Sequence, residues 1–562
     1  MRSRLACPRS IALAAAGSAV LLLGIADGAP TVGSPNTATA DPPIAVPATT
    51  PCIVPLFANL TFADFSPKLF EYAPPTACPG PWAKVVLAAD FAVTAGRQFD
   101  RTASIWIGGA SVYFGTTAEP SRTVSPSWHV ESDLTDYGAL FAAPQPGMVQ
   151  LDNLVNGTFT GILSGTAELR FYPPAPHTDA PPAADAVLAL SAGPRGGTVG
   201  LSTTASTLSR TFTLPTNIER AFLDVYAQSQ AGDEFWYTCV PDDLTGTLQS
   251  CGATAFREAE ISIDGRPAGV APVYPWIFTG GIDPNLWKPI PGVQTLDFVP
   301  YRVDLTPFAG VLSDGAPHVI AVGVFNANNF FATTASLLLF LDHQATHVRG
   351  AVTADTLDAA PGPTVRPTVV TAADGAITAQ VNVEATRRYR IAGFVETSHG
   401  HVSTEVTGEL AFANRQQFDI TQALYHQRIA QTTAILVRTS REERGGRTEH
   451  VVQQVWPLAV DFAFATSPDG SAAQTTTIDQ RFERSDTELA RGRLASFRIV
   501  SSAVAPSDTL HFDPTGAFTG STGQASTQRY FAADSAGGCF SRDLTAAGGV
   551  LTAVVDGAAC GH

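Results

Sequence analysis

The sequence predicts an all-β protein: two tandem jelly-roll β-sandwich domains followed by a third antiparallel β-rich domain. Three observations carry this reading. Apolar residues alternate with polar ones in short runs, the period of strands rather than helices. Those runs are broken by turn formers, with 48 glycines and 41 prolines in 562 residues. The first two long blocks also repeat the same short signatures in the same order, as a duplicated fold does. A chain of this length exceeds what a single core serves, so several domains are expected.

From the N-terminus, Arg2, Arg4 and Arg9 precede a small, apolar run from Ile11 to Ala26. Ala26-Asp27-Gly28 supplies small residues at the −3 and −1 positions, so residues 1–28 are expected to be a cleaved signal peptide. The run is short for a membrane span, which disfavours a retained anchor. Cys7 precedes the run, which disfavours a lipoprotein. Removal of 1–28 changes the formal charge from −16 to −18. No later stretch is long and apolar enough to span a bilayer, so the expected location is secreted or periplasmic, without stable membrane insertion. Residues 29–51, rich in Pro, Thr and Ala, are expected to be a disordered or extended leader.

Proline-rich breaks at 173–182 and 350–370 then delimit three blocks, 52–173, 184–346 and 370–562. Asp133-Leu134-Thr135 in the first block echoes Asp304-Leu305-Thr306 in the second. Ile105-Trp106-Ile107-Gly108-Gly109 echoes Ile261-Ser262-Ile263-Asp264-Gly265. Ala167 to Tyr172 echoes Ser336 to Leu341. Each block has the size of an antiparallel sandwich such as a jelly roll. In the third block Ile377, Ala379, Val381 and Val383 alternate with polar residues, the pattern of a strand with one covered face.

Six cysteines remain after the signal. In an exported chain an even count favours disulfides. Closeness in sequence suggests Cys52–Cys78, Cys239–Cys251 and Cys539–Cys560, although six cysteines allow about 15 pairings. None of the spacings resembles a zinc site, and neither a metal nor a cofactor is expected. Only three lysines occur (Lys68, Lys84, Lys288) and no basic stripe stands out, which argues against nucleic acid. A monomer is expected. There is no Gly-x-Ser-x-Gly elbow, His-Glu-x-x-His or phosphate-binding glycine loop. His399-Gly400-His401 lacks an acid at metal spacing and reads as a polar loop.

Two segments are rich in chemistry. Read as a strand, 97–107 puts Asp100 on a polar face with Gln98, Thr102 and Ser104, away from the apolar stripe. Such an acid is either an ordinary surface carboxylate or a site residue. In Asp233-Glu234-Phe235-Trp236-Tyr237 the same alternation pairs Glu234 with Trp236. A tryptophan beside a carboxylate suits a sugar; it also suits the rim of a sandwich core. Trp287, in a loop marked by Gly280-Gly281 and Asp283-Pro284-Asn285, is a candidate for lining a cleft.

At these residues, residues 52–343 resemble the peptide-N4-(N-acetyl-β-glucosaminyl)asparagine amidase A family, the acid peptide:N-glycanases. The matching stretches are Gly96 to Arg101, Thr117-Ala118-Glu119-Pro120, Asp233 to Tyr237, Phe256-Arg257-Glu258, Ile277 to Gly281, Leu286 to Ile290, and Leu305 through His343. The family is distantly similar to bacterial peptide-N-glycosidase F, which has two jelly rolls with the site between them. The resemblance implies an amidohydrolase that converts glycosylated Asn to Asp and releases a glycosylamine. It implies Asp100 and Glu234 as catalytic carboxylates, and Arg101, Glu119, Asn153, Asp233, Trp236 and Trp287 as substrate-binding. The third acid of that enzyme falls near Asp152-Asn153. The partners implied are N-glycosylated peptides or glycoproteins, and two close acids suit an acidic pH optimum. The rival readings are a non-catalytic carbohydrate-binding sandwich and an endo-acting glycoside hydrolase with two carboxylates.

Overall fold

The computed structural model describes residues 30–560; the signal peptide reading lies outside the described residues. The first block forms two four-stranded antiparallel sheets. One is ordered Cys52–Phe62, Leu163–Tyr172, Lys84–Val93, Ser127–Asp133. The other is ordered Lys68–Tyr72, Gln145–Leu151, Thr102–Ile107, Ala110–Thr116. Numbered along the chain, these orders are 1-8-3-6 and 2-7-4-5, the interleaving of a jelly roll.

The second block repeats it. One sheet is ordered Val199–Leu201, Phe330–Leu341, Ile218–Gln230, Tyr301–Asp304, with Ala186–Leu190 added beside Phe330–Leu341. The other is ordered Thr207–Thr213, Pro317–Phe325, Glu258–Ile263, Arg266–Pro272. Leaving out the added strand, the interleaving is again 1-8-3-6 and 2-7-4-5. The three sequence echoes occupy matching places: the fourth strand and its turn, the end of the sixth strand, and the eighth strand. At the sixth, Asp133 and Asp304 each accept a hydrogen bond from the backbone N–H two residues on, at Thr135 (3.1 Å) and Thr306 (2.9 Å). The acceptor side chain starts the same 3-10 turn in both halves.

The third block is one antiparallel sheet of eleven strands, many about 20 residues long, from Arg349–Asp355 to Val550–Asp556. The alternation read at 377–384 is present: Ala379, Val381 and Val383 are buried and Thr378 and Gln380 exposed. The proline-rich stretch 350–370 is not a free linker. Arg349–Asp355 and Thr364–Thr371 both pair with Ile377–Thr397, and the prolines between them sit where no ladder is needed.

Burial divides the molecule differently from the sequence. The first sandwich has its own core, around Phe91, Ile105, Tyr113 and Leu169. The second sandwich and the long sheet share another, in which Trp236, Phe256 and Tyr274 meet Phe412 and Trp456. Residues 30–51, read as a disordered or extended leader, have neither helix nor strand and lie against the folded blocks. Ala38 and Ala40 are buried, the Ala38 N–H donates to Pro289 O at 3.0 Å and the Ala40 N–H to Gln528 Oε1 at 2.7 Å. Small side chains let this segment lie in a seam that a larger residue would not enter. The three disulfides are Cys52–Cys78, Cys239–Cys251 and Cys539–Cys560. No helix among the described residues is long and apolar enough to cross a membrane.

Candidate active site

The two sandwiches share apolar packing, with Leu296 and Leu338 of the second entering the core of the first, and polar contacts fix their register. Thr116 donates to Thr295 O through its N–H (2.9 Å) and its hydroxyl (3.0 Å). Tyr113 Oη donates to Leu296 O at 2.7 Å and Thr279 Oγ1 to Thr117 O at 2.6 Å. Gln230 Nε2 reaches Thr102 Oγ1 at 2.9 Å. Asp224 is held by Arg302 and accepts from Tyr137 Oη at 3.0 Å. Thr102 follows Asp100 by two residues and Gln230 precedes Glu234 by four, so this clamp brings the two acidic segments to one seam.

Neither acid lies within a strand. The strand starts at Thr102, leaving Asp100 on the approach to it. Its N–H donates to Glu119 Oε1 at 3.1 Å. Glu119 follows the partner strand Ala110–Thr116, and beyond the ladder the Thr117 N–H donates to Arg101 O while the Arg101 N–H donates to the Thr117 hydroxyl. Gly280 closes the pair from the second sandwich. Its N–H donates to the Asp100 carboxylate, and a Cβ there would overlap both Asp100 Oδ1 and Glu119 Oε1. Only glycine permits that approach.

Glu234 lies beyond strand Ile218–Gln230, where Ala231 takes a left-handed φ of 50° and two 3-10 turns follow. Strand alternation therefore does not apply to 233–237, and Trp236 is not beside Glu234 on one face. Trp236 is 1% exposed and packs against Phe412 and Tyr237. Asp233 is fully buried, paired with Arg257 at 2.9 Å, and accepts the N–H groups of Asn328, Asn329 and Phe330. Both residues anchor the turn that presents Glu234.

Two more of the sequence-derived binding residues hold the scaffold. Asn153 is buried and its Nδ2 donates to Phe62 O and Gly161 O; its neighbour Asp152 is half-buried and within reach of the charge of Arg101. Trp287 is 3% exposed and its indole N–H donates to Gly281 O at 2.9 Å, fixing the Gly280-Gly281 turn. Arg101 stays with the site. Its NH2 donates to Gln98 Oε1 at 2.7 Å, and its charge acts on Asp100 and Asp152.

Electrostatics joins the acids. Burial pushes the Asp100 carboxyl up to about 6, with Arg101 pulling the other way. Burial and then the Asp100 charge push Glu119 up to about 8. The same two causes bring Glu234 to about 7. Buried acids within reach of each other's charge resist full ionisation and share protons. Lys288 sits by Glu119 and Asp283. Burial lowers its ammonium, and those two acids oppose the shift. Sequence reasoning missed Gly280 and Lys288 as members of the site. Both lie in stretches quoted for the family resemblance, and Lys288 is one of only three lysines.

Fold and site define a class: an all-β protein whose polar centre is a set of largely buried carboxylates where two sandwiches meet. The family model described as Peptide N-acetyl-beta-D-glucosaminyl asparaginase amidase A matches residues 46–356, more than half of the chain. The chain belongs to this family. Peptide-N4-(N-acetyl-beta-glucosaminyl)asparagine amidase A of Prunus dulcis is 27% identical over a 530-residue alignment that covers 90% of this chain and 89% of that one. Among solved structures, PNGF-II is similar at 13% identity over 53% of this chain and 66% of that chain, with a TM-score of 0.38. PNGase F, a glycosylasparaginase from Flavobacterium meningosepticum, is similar at 13% identity over 52% of this chain and 96% of that chain, with a TM-score of 0.34.

Proposed function

We propose that this chain hydrolyses the side-chain amide joining an N-linked glycan to asparagine, with Asp100, Glu119 and Glu234 handling the protons. Family membership supports the reaction. The observation that carries the residue assignment is the Asp100–Glu119 pair, within range of Glu234 from the other sandwich. An amide needs an activated water and a protonated leaving amine. Asp100 takes a proton from water as its oxygen bonds to the amide carbon. The carbon–nitrogen bond breaks, and Glu119, protonated at neutral pH and below, returns a proton to the departing nitrogen. The products are aspartate and a glycosylamine, which hydrolyses to free glycan and ammonia. Glu234 holds the attacking water, and the proton that Asp100 takes from it is relayed back to Glu119 after the amine departs, which restores both acids. Arg101 steadies the Asp100 carboxylate, and Lys288 offsets negative charge beside Glu119.

The blocks 52–173, 184–346 and 370–562 serve as domains in this reading, the first two supplying the acids. The protein acts as a monomer on N-glycosylated peptides outside the cytoplasm, in the periplasm or secreted. The test is mass spectrometry of a denatured Asn-glycopeptide. The amidase leaves an Asp peptide, a lectin leaves the substrate intact, and an endoglycosidase leaves one sugar on Asn. Asp100→Asn and Glu234→Gln should abolish Asp formation while keeping the native fold. Full turnover in either variant rejects its assignment.

A further inference from the structure

We propose that Asp283, on the loop that carries Gly280 and Lys288, shares one proton with Asp508 of the long sheet, and that this proton latches the loop in the place the acids need. Asp508 lies in strand Arg493–Phe512. Asp283 is 0% exposed and Asp508 2%. The two carboxyls bracket one residue: the Asn285 N–H donates to Asp283 Oδ1 at 2.9 Å and its Nδ2 to Asp508 Oδ2 at 3.3 Å. Among the described residues no N–H or hydroxyl reaches the other oxygen of either, Asp283 Oδ2 and Asp508 Oδ1, and both are buried. What remains for them is each other, and the two side chains are hydrogen-bonded. A carboxylate only accepts, so that bond requires a proton on one of the pair.

The surrounding charge agrees. Lys288 faces Asp283 from the same loop, and Glu119 faces Lys288 from the first sandwich. One ammonium serving two acids leaves nothing to balance a second carboxylate at the seam, and its presence disfavours a metal cation in the proton's place. Two buried acids in contact do not both ionise. Burial pushes the Asp283 carboxyl up, the Asn285 N–H pulls it down, the Asp508 charge raises it and Lys288 lowers it, which leaves it at about 6. That is above the roughly 4 of an unfolded chain, so the latch is complete at low pH and is lost as pH rises through the folded value.

The loop needs holding. Ile282, between the Gly280-Gly281 turn and Asp283, has a left-handed φ of 65°, which is costly for a β-branched residue and persists only where neighbours impose it. Gln474 Nε2 donates to Ile282 O at 3.3 Å and Gln524 Nε2 to Lys288 O at 3.1 Å, both from the long sheet. The Asp283–Asp508 bond is the part of this hold that titrates. Without its proton two carboxylates repel, and the loop leaves the sheet with Gly280, drawing it from Asp100 and Glu119. Asp283 and Asp508 are thus positioning residues. Their effect on turnover rests on the amidase reading, whereas the latch itself does not.

The test follows amide hydrogen exchange of residues 277–290 in the full-length protein by mass spectrometry at about pH 5 and about pH 8, corrected for the intrinsic pH dependence of exchange. Wild-type protection should be about tenfold weaker at the higher pH, the equivalent of one pKa unit of coupling. Asp508→Asn keeps an oxygen for Asn285 and offers Asp283 an NH2 at every pH, so its protection should be the same at both. Asp508→Ala should be weakly protected at both; if it does not fold, Asp508→Asn alone decides. On a glycopeptide, the wild-type kcat/KM should show a falling step near 6 that Asp508→Asn removes, leaving the limb near 8. Wild-type protection that is equal at the two pH values, or that Asp508→Asn loses just as the wild type does, overturns the proposal. A protein that cleaves glycopeptides while its loop ignores pH sinks the latch alone. One whose loop loosens with pH yet leaves glycopeptides uncut sinks the amidase reading alone.

Discussion

Replacing Gly280 by alanine tests the arrangement of the acids with a single methyl group. The new Cβ would fall inside the contact distance of two carboxylate oxygens, one on Asp100 and one on Glu119. Neither can step aside freely. Asp100 is tied by its own N–H to Glu119 and by its carboxylate to the Gly280 N–H. The Gly280 turn is pinned by Trp287 through Gly281 O, and Thr279 is pinned to Thr117 O. Overpacking of this kind costs about 1–3 kcal/mol of stability. Displacing a reacting group by about 1 Å costs on the order of 100-fold in rate. The expected variant is therefore folded at room temperature, with kcat/KM on a glycopeptide reduced about 100-fold and a modestly lower melting temperature. Gly281→Ala is the control. Its nearest contacts, Ile277 Cγ2 and Phe278 O, lie at 3.1 Å, so it should perturb stability without crowding the acids. Wild-type kcat/KM in a folded Gly280→Ala variant would show that Asp100 and Glu119 do not work as a pair.

Glu119→Gln keeps the shape of the protonated acid but can neither ionise nor give a proton to the departing nitrogen, so kcat/KM should fall steeply, and the pH dependence is read on the residual rate. The alkaline fall in kcat/KM that ionisation of Glu119 near 8 imposes should disappear, so a variant retaining the wild-type alkaline limb contradicts proton sharing. Stability should also depend on pH in a defined direction. The folded-state carboxyls of Asp100, Glu234 and Glu119 lie at about 6, 7 and 8, above the roughly 4 of an unfolded chain. The folded state thus holds more protons between those values, and stability falls as pH rises from about 4 to about 8. Asp100→Asn removes one such group and should raise stability at pH 8 by up to about 3 kcal/mol, read from urea melts; a loss of stability there would reverse the sign. Asn414→Leu removes a donor to Tyr237 O and should cost about 1–3 kcal/mol, with kcat falling and KM nearly unchanged in steady-state kinetics.

The fold was legible where burial is one-sided. In Ile377–Thr397 each buried residue sits two positions from the next over much of the strand, and the echoes between the first two blocks sit at turns whose chemistry is local. The joining of the second sandwich to the long sheet was not legible. It depends on Asn and Gln side chains that are buried because they meet backbone carbonyls of another element, and a polar residue in a strand reads as exposed. The same rule explains the site. Asp100 was found through its motif, but the strand reading gave it the wrong setting because the strand starts two residues later. Asp233, Trp236, Asn153 and Trp287, named from the family resemblance, are all buried, and Asp233 and Trp287 bond to the turns that carry Glu234 and Gly280. Gly280 carries no chemistry at all. Its role is the absence of a side chain beside two carboxylates, which only a three-dimensional approach can reveal.

The long sheet bears on the acids through backbone carbonyls. Three successive carbonyls after Glu234 are taken by one patch of its buried polar residues: Tyr237 O by Asn414, Thr238 O by Gln427, and Cys239 O by Gln416. Gln480 does the same to the other loop, accepting the Val293 N–H at 2.9 Å and donating to Pro275 O at 2.8 Å. Gln524 donates to Asn285 O and Lys288 O. The two stretches so held are the ones that present Glu234 and Gly280. Short-range backbone hydrogen bonds, Glu234 N–H to Ala231 O and Thr238 N–H to Phe235 O among them, hold the turn itself, and the buried carbonyls they do not use need other partners. The sheet satisfies those groups from behind and so holds in place the turns that bring Glu234 and Gly280 to Asp100 and Glu119. Precision at a site built from loops has to come from what packs beneath them, and here that support is the third block of the chain.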